Sequence, residues 1–179
     1  METYVALLYS IVLGEGRRVV MSDLKAMAEG LALNNPRTLV ATGNLVFEAQ
    51  EAEIAVLEGR LEAAFETTFG RHVDIIVRRA DDWLRLAAGN PFPAESAAAA
   101  DQVAVRVMRK PVPAEAVAAL EAYIGKDERV QAVGGDIWIV FSRETPSSRL
   151  LAATGHKRLG VGTSRNWNTV RKLAEMVGG

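Results

Sequence analysis

The chain has no cysteine, only two histidines, and aromatic side chains at 6% of its 179 positions. Lack of cysteine excludes a disulfide-stapled scaffold, a thiolate-held zinc module and a thiol nucleophile. The histidines, His72 and His156, are far apart and neither belongs to a ligand-spacing pattern, so the sequence predicts no metal site and no cofactor. Long apolar runs are also missing. Val5 to Leu13 is too short to cross a bilayer, and Met1-Glu2-Thr3-Tyr4 lacks the basic flank of a signal peptide. These features predict a soluble cytoplasmic protein with no membrane partner. No Gly-x-Ser-x-Gly elbow and no Gly-x-x-x-x-Gly-Lys-Ser/Thr loop occurs. Gly14-Glu15-Gly16 lacks the third glycine and the immediate helix of a dinucleotide loop and reads as a connection. Asp81-Asp82 reads as helix N-terminal charge rather than a catalytic pair, since adjacent residues do not share a helix face.

What is present is an ordinary globular composition, 49% hydrophobic, with 21 basic and 22 acidic residues. The charge is uneven. Between Thr145 and Ala174 lie Arg149, Lys157, Arg158, Arg165, Arg171 and Lys172, with no acid among them. A cationic end on an acidic body suits an anionic partner, or is a solvated face pairing with acids elsewhere.

Periodicity predicts a strand over Thr3–Tyr9, then a helix capped by Ser22 and carrying Leu24, Met27, Ala28 and Leu31. Asn34-Asn35-Pro36 should stop it. Two strands, Arg37–Thr42 and Leu45–Ala49, flank Gly43-Asn44 as a two-residue hairpin loop. A long helix from Glu51 to Phe69 ends at Gly70, and a strand follows over Val73–Val77. A helix opened by Asp81-Asp82 closes at Gly89-Asn90-Pro91. After an alanine-rich stretch, the order starts again. A strand spans Gln102–Met108, a helix Ala114–Tyr123, and strands Arg129–Val133 and Ile137–Phe141 flank Gly134-Gly135. Short helical signal at Ser148–Ala153 and a final helix from about Arg165 to Val177 complete the chain.

The predicted fold class is therefore α+β with two subdomains. Residues 1–90 form a ferredoxin-like β-α-β-β-α-β unit, 91–100 a linker, and 101–179 a shorter related β-α-β-β-α unit with a C-terminal helix.

The concentrated candidate site is the tail. Gly160 and Gly162 precede Thr163-Ser164, which read as a capping pair for a helix starting at Arg165. A helix N-terminus favours an anion, and Arg165 suits phosphate as a bidentate fork. The candidate anion-binding residues are Thr163, Ser164, Arg165, Asn166, Asn168 and Thr169, with Lys157 and Arg158 nearby and Asn44 from the first subdomain. Trp167 either stacks on a base or anchors the helix in the core. The bland alternative is a capped helix whose polar first turn holds the subdomains together.

The stretch Gly162-Thr163-Ser164-Arg165-Asn166-Trp167-Asn168-Thr169-Val170-Arg171-Lys172-Leu173 resembles the signature of a bacterial family catalogued as domain of unknown function 1697 (DUF1697). Met21-Ser22-Asp23-Leu24, Thr42-Gly43-Asn44-Leu45-Val46-Phe47 and Asn90-Pro91-Phe92 match in the same order. The resemblance implies a two-part α+β fold and no established activity. One departure follows the first strand, where Tyr9, Ser10 and Val12 replace the family's arginine, glycine and asparagine.

Three functions stay open from sequence. The first is a binding module for an anionic, phosphate-bearing ligand, nucleic acid included. The ferredoxin-like order recurs among RNA binders, but the aromatic RNA-binding signature is absent here. The second is a structural or protein-partner-binding protein whose polar motif joins the subdomains. The third is an enzyme on a small anionic substrate, for which no catalytic residue can be assigned, since the tail lacks an obvious general base beyond His156.

Overall fold

The computed structural model describes residues 1–9, 19–39, 43–142 and 148–179. The predicted loop Gly14–Arg18, the departures at Ser10 and Val12, and Thr42 lie outside the described residues. The chain divides into two compact units, Met1–Arg85 with Leu173–Gly179, and Leu86–Lys172.

The first unit contains β1 (Glu2–Leu8), α1 (Met21–Gly30), β2 (Asn34–Leu39), β3 (Asn44–Ala49), α2 (Ile54–Phe69) and β4 (Ile75–Arg79), and α3 (Ala80–Ala88) begins in it. Its sheet is antiparallel in the order β2-β3-β1-β4, the split β-α-β arrangement of ferredoxin-like folds. Alternation sends Tyr4, Ala6, Leu8, Leu45, Phe47, Ile75 and Val77 into a core with Leu24, Met27 and Ala28 of α1 and Leu57, Leu61 and Phe65 of α2. Tyr4 and Phe47, directly opposed in register, stack at 5.5 Å. The residues between them, Val5, Leu7, Val46 and Ile76, are buried too. A sheet buried on both faces needs continuous apolar strands, which is why β1 reads Val-Ala-Leu-Leu rather than alternating.

Local chemistry departs from the sequence reading at three places. Ser22 does not cap α1. Val20 holds that position without a side-chain bond, and Ser22 sits in the first turn. Asn34-Asn35-Pro36 does not merely stop α1 but opens β2, where a bulge with Asn35 at φ 46° absorbs the proline. Proline is tolerated because β2 is an edge strand. Asn44 is no turn residue. It pairs with Leu39 and Leu7 inside the sheet, so the connection is longer than two residues, and of the expected pair only Gly43 has positive φ (79°). Gly70, by contrast, closes α2 in the left-handed conformation as predicted.

The second unit repeats the order with β5 (Val103–Met108), α5 (Ala114–Leu120), β6 (Arg129–Val133), β7 (Asp136–Val140), two short helices α6 (Arg149–Ala153) and α7 (His156–Leu159), and β8 (Gly162–Asn166). Its sheet runs β6-β7-β5-β8, again antiparallel. Thus the second copy is not the shortened β-α-β-β-α unit the sequence predicts. The tail supplies its sixth element. Residues 162–166 pair with β5 because the edge of β5 offers a row of backbone donors and acceptors that a helix there would leave unmet. The last helix, α8, starts at Trp167 instead of Arg165 and runs to Gly178.

The stretch 91–100, predicted as a linker, is also structured. Pro93 occupies the first turn of a short helix, Pro93–Ala98 (α4), where its missing N–H costs nothing. Ahead of it Asn90 accepts from the Phe92 amide at 2.9 Å and donates to Ser96 at 2.8 Å, with Phe92 buried. Gly134-Gly135 makes the predicted two-residue hairpin, both at positive φ.

Candidate functional site

The tail residues occupy a strand and the start of a helix, and strand geometry decides what each side chain meets. Opposed residues of an antiparallel pair share a face. Ala104, Met108, Ile137 and Ile139 pack with Leu120, Leu150, Ala153 and Leu159, which identifies the helix-covered face of the second sheet. Arg165 stands opposite Val105 and Thr163 opposite Val107, on the other face. Ser164 stands opposite Arg106, on the helix-covered side.

Arg165 and Thr163 are both buried. One guanidinium nitrogen of Arg165, Nη1, donates to Thr163 Oγ1 and to the Ser164 carbonyl, each at 2.8 Å. Loss of hydration on burial pulls the Arg165 guanidinium down to about 10, which still leaves it a cation at neutral pH. Ser164 keeps an exposed side chain. Asn166 is the true helix cap. Its Oδ1 accepts from the Thr169 amide at 3.1 Å, three residues on. Asn168, half-buried, accepts from Arg171 at 3.3 Å, and Thr169 is half-buried beside it. Trp167 is half-buried with its ring 6.0 Å from that of buried Trp138. Asn44 belongs to the first unit, where it is fully buried and donates to the Leu39 carbonyl at 3.0 Å.

A second buried arginine was invisible as a site residue in the sequence. Arg106, in the middle of apolar β5, is 3% exposed and donates from Nη2 to the Gly160 carbonyl and to His156 Nδ1, both at 3.0 Å. A guanidinium carries no acceptor, so Nδ1 is the accepting nitrogen of His156. This arginine also explains a glycine of the tail motif. A Cβ on Gly162 would lie 3.1 Å from Arg106 Nε, 3.0 Å from the Val107 carbonyl and 2.8 Å from Met108 Sδ. Glycine is needed there for close approach, not for flexibility.

Lys157 and Arg158, on α7, are exposed. The Arg158 guanidinium lies 4.7 Å from the centre of the Tyr123 ring, and that of Arg149, at the start of α6, lies 5.5 Å from the same ring. Beside them opens a cavity of about 640 Å³ bordered by Tyr123, Lys126, Glu128, Phe141, Ser148 and Arg149. Glu128, buried at its wall, accepts from the amides of Gly125 and Ser142 and from the Ser148 hydroxyl, at 3.0, 3.3 and 2.8 Å. Ser148 also caps α6, accepting from the Leu151 amide. Among the described residues no helix is long and apolar enough to cross a membrane.

A solved structure, that of the conserved bacterial protein SP0830 from Streptococcus pneumoniae, shares the fold. The two chains are 22% identical, the match covers 100% of this chain and 99% of the other, and the TM-score is 0.76. No curated protein matches the chain. The family model described as a protein of unknown function, DUF1697, matches residues 1–138, which takes in the first unit except its C-terminal segment Leu173–Gly179, and the second as far as β7. The chain belongs to the DUF1697 family.

Proposed function

We propose that this protein is a cytoplasmic binding module for an anionic, phosphate-bearing ligand, and that Arg149, Lys157 and Arg158 are its contact surface. The observation that carries this reading is the convergence of two guanidinium groups on Tyr123. Like charges held together are costly unless something anionic shares the space. Two other exposed arginines meet acids, Arg129 with Glu95 and Arg85 with Asp82, whereas Arg60 and Arg171 donate to neutral oxygens of Leu31 and Asn168. Among the described residues no carboxylate pairs with Arg149, Lys157 or Arg158. Glu128 is close by in the cavity wall, where its oxygens accept from two amides and a hydroxyl and no arginine pairs with it among the described residues.

The test is fluorescence anisotropy with a labelled single-stranded RNA, and competition by inorganic pyrophosphate, at low and high salt. The wild type should bind more weakly as salt rises. Losing two phosphate contacts in Arg149→Gln/Arg158→Gln should flatten the slope of log affinity against log salt by about 1.4 for a single strand. Competition by pyrophosphate without RNA binding would favour a small phosphate ligand over nucleic acid. No binding of either probe by the wild type, or an unchanged salt slope in the double variant, would sink the proposal.

A second reading, a structural role for the tail motif, is favoured by the burial of Arg165 and its bonds within its own strand. On that reading Thr163, Arg165 and Asn166 hold β8 and the start of α8 in place, and ligand contact falls to the exposed cations.

A further inference from the structure

We propose that Glu62, His72 and Asp74 form a binding site for a divalent transition-metal cation of the zinc class. The three lie in the first unit, apart in sequence function from the arginines discussed above. Glu62 comes from α2, and His72 and Asp74 from the segment that leads into β4. His72 and Asp74 flank buried Val73, and both come within reach of the Glu62 side chain. His72 Nε2 lies 3.1 Å from Asp74 Oδ1 and 3.8 Å from Glu62 Oε2, and one ligand atom from each residue lies within 4.8 Å of the others.

A proton on Nε2 can serve only Asp74, because 3.8 Å to Glu62 is beyond a hydrogen bond. A cation between the three atoms serves all of them. Bonds of 2.0–2.2 Å in a tetrahedral site put ligand atoms about 3.4 Å apart, and the two distances from Nε2 bracket that spacing. The donor set is one imidazole and two carboxylates. Nitrogen in the set selects against magnesium and calcium, which take oxygen, and the absence of thiolate leaves a borderline ion such as zinc or cobalt. Glu62 is already oriented, since its Oε2 accepts from the Ile75 amide at 3.3 Å, the outer bond that ligating carboxylates usually need. The Glu62 and Asp74 side chains are only 15% and 23% exposed, whereas His72 is 55% exposed, so an ion enters from the His72 side and keeps a position for water.

The experiment is calorimetric titration of zinc chloride into the chelator-stripped full chain in a phosphate-free buffer. The wild type should bind one equivalent and melt at a higher temperature with zinc, a shift that EDTA reverses. His72→Ala and Asp74→Asn should each weaken binding roughly tenfold or more, while His156→Ala leaves it unchanged. Glu62→Gln, which keeps the shape of the side chain, should weaken it too. No saturable binding by the wild type, an unchanged isotherm in His72→Ala, or loss in His156→Ala instead would overturn the proposal and leave the cluster an ordinary ion pair. Far-UV circular dichroism of the variants, in which exposed His72 is not a packing residue, separates lost ligands from lost fold.

Discussion

Replacing Arg165 separates a buried charge from the volume it fills. Arg165→Met keeps most of the side chain and removes the guanidinium. That change deprives Thr163 Oγ1 and the Ser164 carbonyl of a donor, at about 1–3 kcal/mol for each group left unmet. It also restores what burial takes from the cation. A fall to about 10 corresponds to roughly 3 kcal/mol of lost hydration. The two effects oppose each other, about 2–6 kcal/mol against roughly 3, so Arg165→Met should lose no more than about 3 kcal/mol. Arg165→Ala suffers the same exchange and leaves a cavity as well, which typically adds 2 kcal/mol or more. Urea denaturation of the two variants should therefore place Arg165→Ala about 2 kcal/mol or more below Arg165→Met. In a unit of this size each kcal/mol moves the melting temperature by roughly 4–8 °C. If Arg165→Met is as unstable as Arg165→Ala, side-chain volume is irrelevant, the charge is indispensable, and the reasoning fails.

Two further outcomes follow from the same strand and its helix. Gly162→Ala should destabilise the protein by about 1–3 kcal/mol, because two of the three atoms its Cβ would meet, the Val107 carbonyl oxygen and Arg106 Nε, belong to a paired strand and a buried side chain; a melting curve that does not move would refute the close approach. Asn166→Ala should cost about 1 kcal/mol through the lost cap on the Thr169 amide, and Asn166→Asp should retain most of it. Equal losses in the alanine and aspartate variants, measured by thermal denaturation, would rule out capping.

Much of the fold is legible along the chain. The stripe Leu57, Leu61, Phe65 gives α2, Gly70 gives its end, and Gly134-Gly135 gives the β6–β7 hairpin, because each signal acts within a few residues. Asn44 and the tail are misread for one shared reason. Asparagine after glycine is good turn chemistry, and Thr-Ser before a polar residue is good capping chemistry, yet both segments lie against strands from elsewhere in the chain. Pairing with Leu7 and Leu39 takes Asn44 into β3, and pairing with β5 takes Thr163–Arg165 into β8. Backbone bonding to a distant partner outweighs local propensity.

The candidate sites divide in the same way. Exposure of Lys157 and Arg158 is readable from charge patterning, whereas their neighbour Arg149 becomes significant only through Tyr123, which shares no sequence neighbourhood with either helix. His72 belongs to no ligand-spacing pattern along the chain until α2 brings Glu62 to it. Arg106 sits in a run that spells a buried strand, and nothing nearby announces that His156 and Gly160, 50 and 54 residues on, will receive its guanidinium. By itself the sequence determined the α+β class, the doubled element order and the cationic character of the C-terminal third, because these depend on composition and short-range periodicity. Only the tertiary structure decided that the tail completes the second sheet, that Arg165 is buried and that the exposed arginines share one ring, because burial and convergence depend on which distant segments exclude water from each other.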